Sequence, residues 1–219
     1  MEFSLETIVL WGVPVVFAIT LHEAAHGFVA RLFGDPTAQM LGRVTLNPIK
    51  HVDPVGTILV PGVLLLTAKL AGGVPFIFGW AKPVPVNEAN LRHPKRDMIW
   101  VAAAGPGSNF VQALLWALLL VAARPGGAID SDGLHEMARI GVNVNLVLMA
   151  LNLLPIPPLD GGRVLAGVLP RPGAQWLARV EPYGFAIIIG LLVLGLLDNL
   201  MAPLIRAASA LIVAILGFA

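Results

Sequence analysis

The stretch TIVLWGVPVVFAITLHEAAHGFVARL, residues 7 to 32, decides what kind of chain this is. It is apolar and long enough to cross a bilayer as a helix, which takes about 20 residues. Near its end stand His22, Glu23 and His26. Histidines four apart lie one above the other on one helix face. That spacing lets both imidazoles reach a single zinc ion, with the glutamate between them able to activate a water. On a soluble helix the same residues could be two surface histidines and an acid. At membrane depth each ionisable group costs about 2.5–3.5 kcal/mol on insertion scales and is functional by default. Three of them together need a shared partner, and a divalent metal supplies one.

The composition agrees. Of 219 residues, 57% are hydrophobic and 12% charged, against about 45–50% and ~25% in soluble domains. The apolar segments are continuous rather than alternating, so the chain reads as helical and not as a barrel. A net charge of +1 gives no sign of a nucleic-acid partner. There is no cysteine, so disulfides and thiolate ligands are excluded and a metal must be held by His, Asp, Glu or Asn. Glu2 and Glu6 occupy positions where a secretory signal would carry Lys or Arg, so the first apolar segment is expected to stay in the mature chain.

Beyond Gly34-Asp35-Pro36, which ends the first helix, residues Met40 to Leu46 are rich in β formers and predict a short strand at the membrane surface. Val55 to Leu70 is apolar but short and broken by Pro61 and Gly62, and a Pro-rich tail follows it to Val86. Longer apolar segments run over about Asp97–Ala122, Leu134–Leu154, Pro182–Leu197 and Leu200–Phe218. The expected fold is an all-α polytopic membrane protein with about five to six transmembrane helices and a small membrane-associated β element. A single domain covers residues 1–219, with a core at about 8–165 and accessory helices at about 182–218.

Basic residues collect on the cytoplasmic side of membrane proteins. If every segment crosses, the count is seven against five, almost no bias. If residues 55 to about 82 instead form a non-crossing hairpin, Arg31, Arg43, Lys50, Lys82, Arg92, Lys95, Arg96, Arg163, Arg171 and Arg179 share one side. With Lys69 and Arg206 left out because they lie within apolar segments, only Arg124 and Arg139 face the other. The second arrangement places the N-terminus outside and the end of the HEAAH helix toward the cytoplasm.

A catalytic zinc takes three protein ligands and keeps one position open. His51, His93 and His135 lie in loops or at segment ends, where solvated or capping histidines are common. Asp160 follows a helix end within a Pro-rich break and precedes Gly161 and Gly162. DGG is also an ordinary turn sequence, so by chemistry alone the two readings of Asp160 stand level. Asn143 and Asn145 read as helix–helix hydrogen-bonding residues.

HEAAHG in a first apolar helix, GPGSN at 105–109 and LNLLPIPPLDGG at 151–162 together closely resemble the site-2 proteases, intramembrane zinc metalloproteases. LNPIKHVDPVG and FGWAKPVPVN resemble a compact bacterial and archaeal subgroup, and nothing resembles a PDZ or CBS domain. The resemblance covers about residues 8 to 165. It implies one Zn2+ held by His22, His26 and Asp160, with Glu23 as catalytic base. It also implies roles for Asn152 and Asn109 at the active site, single-pass membrane proteins as substrates, and a prokaryotic cell membrane as the location. Lys82 to Val86 and Met40 to Leu46 would offer backbone edges to an unwound substrate. The competing readings are a metal transporter using His22, His26 and Asp160 as a transit site, and an inactive helix-binding relative. The oligomeric state is left open.

Overall fold

The structure is a computed structural model that describes residues 4–60, 63 and 81–217. Its first helix, α1 (Leu5–Leu32), is capped by Ser4, whose Oγ accepts the Thr7 N–H at 3.1 Å. After 28 residues, about 42 Å at 1.5 Å per residue, it stops where Gly34 takes φ +110°. A one-turn helix, α2 (Thr37–Met40), follows, then residues 41–46 as turn and bend. The expected strand at Met40–Leu46 is therefore not formed. Asp35 accepts from both the N–H and the hydroxyl of Thr37, which winds the chain into a helical turn instead. No strand occurs among the described residues. Most of the hairpin expected over residues 55–82 lies outside them.

The centre of the molecule is three packed helices. Helix α3 (Pro94–Ala122) begins with a proline at N1, where a missing N–H costs nothing. Helix α4 (Asp132–Asn152) is capped by Ser131 and runs back beside it. Both pack on α1 and on each other. The contacts are lined with small buried residues: Ala18, Ala24 and Ala30 on α1, Ala102, Gly105 and Ala113 on α3, and Ala138, Gly141 and Ala150 on α4. Small side chains let backbones approach closely where lipid supplies no hydrophobic drive between helices. At Gly141 an added Cβ would lie 2.3 Å from the Trp116 ring.

The C-terminal part comprises α5 (Asp160–Val168), α6 (Arg171–Val180), α7 (Gly184–Val193) and α8 (Leu197–Leu216). Leu191 and Leu192 of α7 and Leu197 and Met201 of α8 gather around Ala150 and Leu154, while Ala208 and Ile212 reach Ala113 and Leu146. Among the described residues, four stretches are long and apolar enough to cross a membrane: Leu5–Leu32, Pro94–Ala122, Arg171–Val193 and Leu197–Leu216. The surface fits that setting. Phe17, Phe28, Trp100, Val111 and Leu115 are each at least half exposed, apolar surface that costs free energy in water and none in lipid.

The first and third helices are tied at one end. The Arg92 N–H donates to the Phe33 carbonyl at 3.0 Å. Asp35, fully buried, accepts the Asn87 N–H at 2.7 Å and the Asn90 amide at 3.0 Å. Whatever path residues 61–80 follow, the chain returns to the end of the bundle from which it left α1. Lys95 donates to the Leu169 carbonyl at 2.5 Å, so the start of α3 and the end of α5 share that end as well.

Candidate metal centre

His22 and His26 sit on the buried face of α1. Asp160 opens α5, just past the break that stops α4, so three side chains from two distant stretches meet. The Nε2 atoms of the histidines are 3.1 Å apart. Asp160 Oδ2 lies 3.2 Å from His22 Nε2 and 3.4 Å from His26 Nε2.

The protons on the rings follow from their outer partners. His26 Nδ1 is 2.7 Å from the Val101 carbonyl, which can only accept, so Nδ1 carries the hydrogen and donates. His22 Nδ1 is 2.7 Å from Asn109 Oδ1. The Asn109 amide is oriented by its Nδ2, which donates to the Ala18 carbonyl at 3.1 Å. Both Nε2 atoms therefore present lone pairs. Together with Asp160 Oδ2, buried and without a hydrogen bond among the described residues, they make three acceptors facing one point. Such an arrangement calls for a cation. A tetrahedral zinc with bonds of about 2.0 Å sets its ligand atoms about 3.3 Å apart, and the three observed separations bracket that length.

Gly105 floors the site. A Cβ there would lie 2.4 Å from His26 Nε2 and 2.6 Å from His22 Nε2. Its GPGSN setting is visible in sequence, but a residue that serves by lacking a side chain gives no chemical signal to read.

Glu23 projects from α1 to one flank of the histidines. Its Oε2 accepts the Val84 N–H at 2.7 Å. Lys82 and Val84 each precede a proline, which holds the segment extended. The segment is strapped down rather than open. The Lys82 N–H donates to the His51 carbonyl at 2.9 Å, and Arg43 Nη2 donates to the Lys82 carbonyl at 2.7 Å. Val84 also packs against Gly27 on α1, where an added Cβ would meet its Cγ1 at 3.1 Å. With Pro83 and Pro85 lacking N–H groups, little of the expected free edge at Lys82–Val86 is available for pairing. In the sequence Arg43 was legible only as a basic residue within the strand expected at Met40–Leu46.

Comparison with known proteins agrees with this geometry. The model of peptidase family M50 matches residues 120–195. YwhC of Bacillus subtilis, named as a candidate zinc metalloprotease, is 39% identical over 89% of this chain and 85% of its own length. The chain belongs to peptidase family M50. The likewise named Rip2 of Mycolicibacterium smegmatis is 32% identical over 81% of this M50 chain, which spans 64% of Rip2. Rip2 of Mycobacterium tuberculosis (strain H37Rv) is 31% identical over 72%, spanning 56% of that protein. No solved structure matches. As an M50 member of the site-2 protease type, the protein is a membrane zinc metalloprotease.

Two further residues expected at the active site occupy different positions. Asn109 is fully buried behind His22 and holds its ring. Asn152 ends α4, and its amide donates to the Leu148 carbonyl of its own helix at 3.0 Å. His51, His93 and His135 are not part of the cluster. His51 Nε2 donates to the Thr45 carbonyl of its own loop at 3.0 Å.

Proposed function

We propose that this M50 metalloprotease cuts single-pass membrane proteins within or beside their spans, with His22, His26 and Asp160 as the zinc ligands and Glu23 as the base. The convergence of three lone pairs at 3.1–3.4 Å carries the reading. Zinc, when bound, supplies a Lewis acid that polarises a carbonyl and lowers the pKa of water toward ~7. Glu23 takes the proton of the attacking water and delivers it to the leaving amine. Val84 N–H fixes Glu23 Oε2, which leaves Oε1 to meet that water. Asn152, at the helix end beside the Asp160 loop, turns its amide from Leu148 to hold the substrate backbone or the developing oxyanion. The bilayer is the second partner. With α4, too polar to be read as a span but packed among α1 and α3, the crossings among the described residues number five. The end of the bundle carrying Arg31, Arg92, Lys95 and Arg163 faces the cytoplasm, and the site lies toward it.

Glu23→Gln is the test. Purified protein should keep its zinc while cleavage of a single-span reporter falls by about 10²–10⁴, the usual contribution of a general base. Retained cleavage would end the assignment of the base. Zinc lost together with cleavage would place Glu23 among the ligands.

A further inference from the structure

Behind His22 lies a chain of hydrogen bonds that runs in one direction across three helices. His22 Nδ1 donates to Asn109 Oδ1 at 2.7 Å. Asn109 Nδ2 donates to Asn145 Oδ1 at 2.9 Å. Asn145 Nδ2 donates to the Gly141 carbonyl at 2.9 Å. We infer that Asn145 on α4 is a positioning residue for metal binding, which acts through Asn109 to hold His22 in the tautomer and orientation a metal requires. The inference rests on His22 being a zinc ligand.

The direction of the chain carries the argument. An Asn amide has an oxygen that accepts and a nitrogen that donates, and it can turn over. Were Asn109 reversed, its NH₂ would face His22 Nδ1 and make that nitrogen the acceptor. The ring proton would move to Nε2 and occupy the lone pair that faces Asp160. Two acceptors prevent the reversal: the Ala18 carbonyl, and Asn145 Oδ1. Asn145 could itself turn over, but its nitrogen is committed to Gly141, a backbone carbonyl that can only accept. Both asparagines are 0% exposed, so bulk solvent does not reach them to replace a lost partner, and an unpaired buried amide is costly.

A helix–helix hydrogen bond that served only packing would need no direction and no link to a ring nitrogen. This one ends on the ring nitrogen opposite the atom that faces the site. Partners of ligating histidines usually matter to metal affinity by about 10–100-fold. Asn143, two residues away on α4, is exposed and stands outside the chain.

The full chain, purified in detergent, would be titrated with zinc against a competing chelator as wild type, N145L, N145D, N143L and H22A. N145L is expected to lose about 10–100-fold in zinc affinity, and its cleavage activity should return as free zinc is raised. N145D in its neutral form still accepts from Asn109 while its O–H donates to the Gly141 carbonyl, and should recover most of the affinity. N143L should bind as wild type does. An N145L protein with wild-type zinc affinity, even if its melting temperature fell, would reduce Asn145 to a packing residue and overturn the inference. Should N145L not fold, N145D and N145S carry the same comparison: a loss in N145S that N145D does not share supports it, and equal affinity in both and in wild type overturns it. If H22A also binds as tightly as wild type, the failure lies in the ligand assignment and not in Asn145.

Discussion

At the scale of single residues, the site divides into groups with a chemical signature and groups without one. His22, Glu23 and His26 could be picked out because charged and ligating side chains are expensive in an apolar helix, whereas Asp160 was singled out by the resemblance of its motif. Gly105 could not, since its contribution is empty space. That space is testable. Gly105→Ala would put a methyl group 2.4 Å from His26 Nε2, and zinc content measured on the purified protein should fall to near zero. Gly107→Ala, two residues on along α3, meets nothing within 4 Å. It should keep its zinc and gain up to about 1 kcal/mol of helix stability in a thermal melt. Asn145 belongs with Gly105: its type was plain, but its link to a ligand was not.

At the scale of elements, two loops do work that their sequences hide. The Asp35 carboxylate joins the end of α1 to residues 87–90. Burial alone would raise its pKa, but the hydrogen bonds from Thr37, Asn90 and Asn87 outweigh burial and hold it below the ordinary value. Its folded pKa is therefore lower than its unfolded pKa of about 3.9. The resulting stability is complete above that value and is lost as pH falls through the folded pKa. Asp35→Asn would turn an NH₂ toward the Asn87 N–H, two donors face to face. It should cost about 1–3 kcal/mol, and melting curves of the variant between pH 3 and 6 should lack the wild type's acid loss from this group. The second loop is the strap that holds Glu23. Arg43, 7% exposed, anchors it through the Lys82 carbonyl. Arg43→Gln loses a charged hydrogen bond worth about 1.5–3 kcal/mol. If roughly half of that serves to aim the base, kcat should fall about three- to tenfold with zinc content unchanged. The strand expected at Met40–Leu46 failed because β propensity was read without the Asp35 side chain that winds the preceding turn.

At the scale of the whole molecule, the Phe33–Arg92 and Lys95–Leu169 contacts bring the ends of α1, α3 and α5 together. The chain has no native cysteine, so single cysteines report cleanly on sidedness. Cysteines at Glu88 and Arg163 should be labelled from the cytoplasmic side, and one at Gly126 from the opposite side. Labelling of Glu88 and Gly126 from one side would overturn the topology. Sequence alone determined the membrane class and the HEAAH helix, because both depend on local composition and on a four-residue spacing along one backbone. Residue chemistry left Asp160 level with a turn residue until the motif resemblance implied it as a ligand, and nothing in the sequence linked Asn109 to Asn145. Those choices depend on distances between residues 22, 105, 109, 145 and 160. Only the packing of α1, α3, α4 and α5 makes the three acceptors converge and aligns the amides behind them.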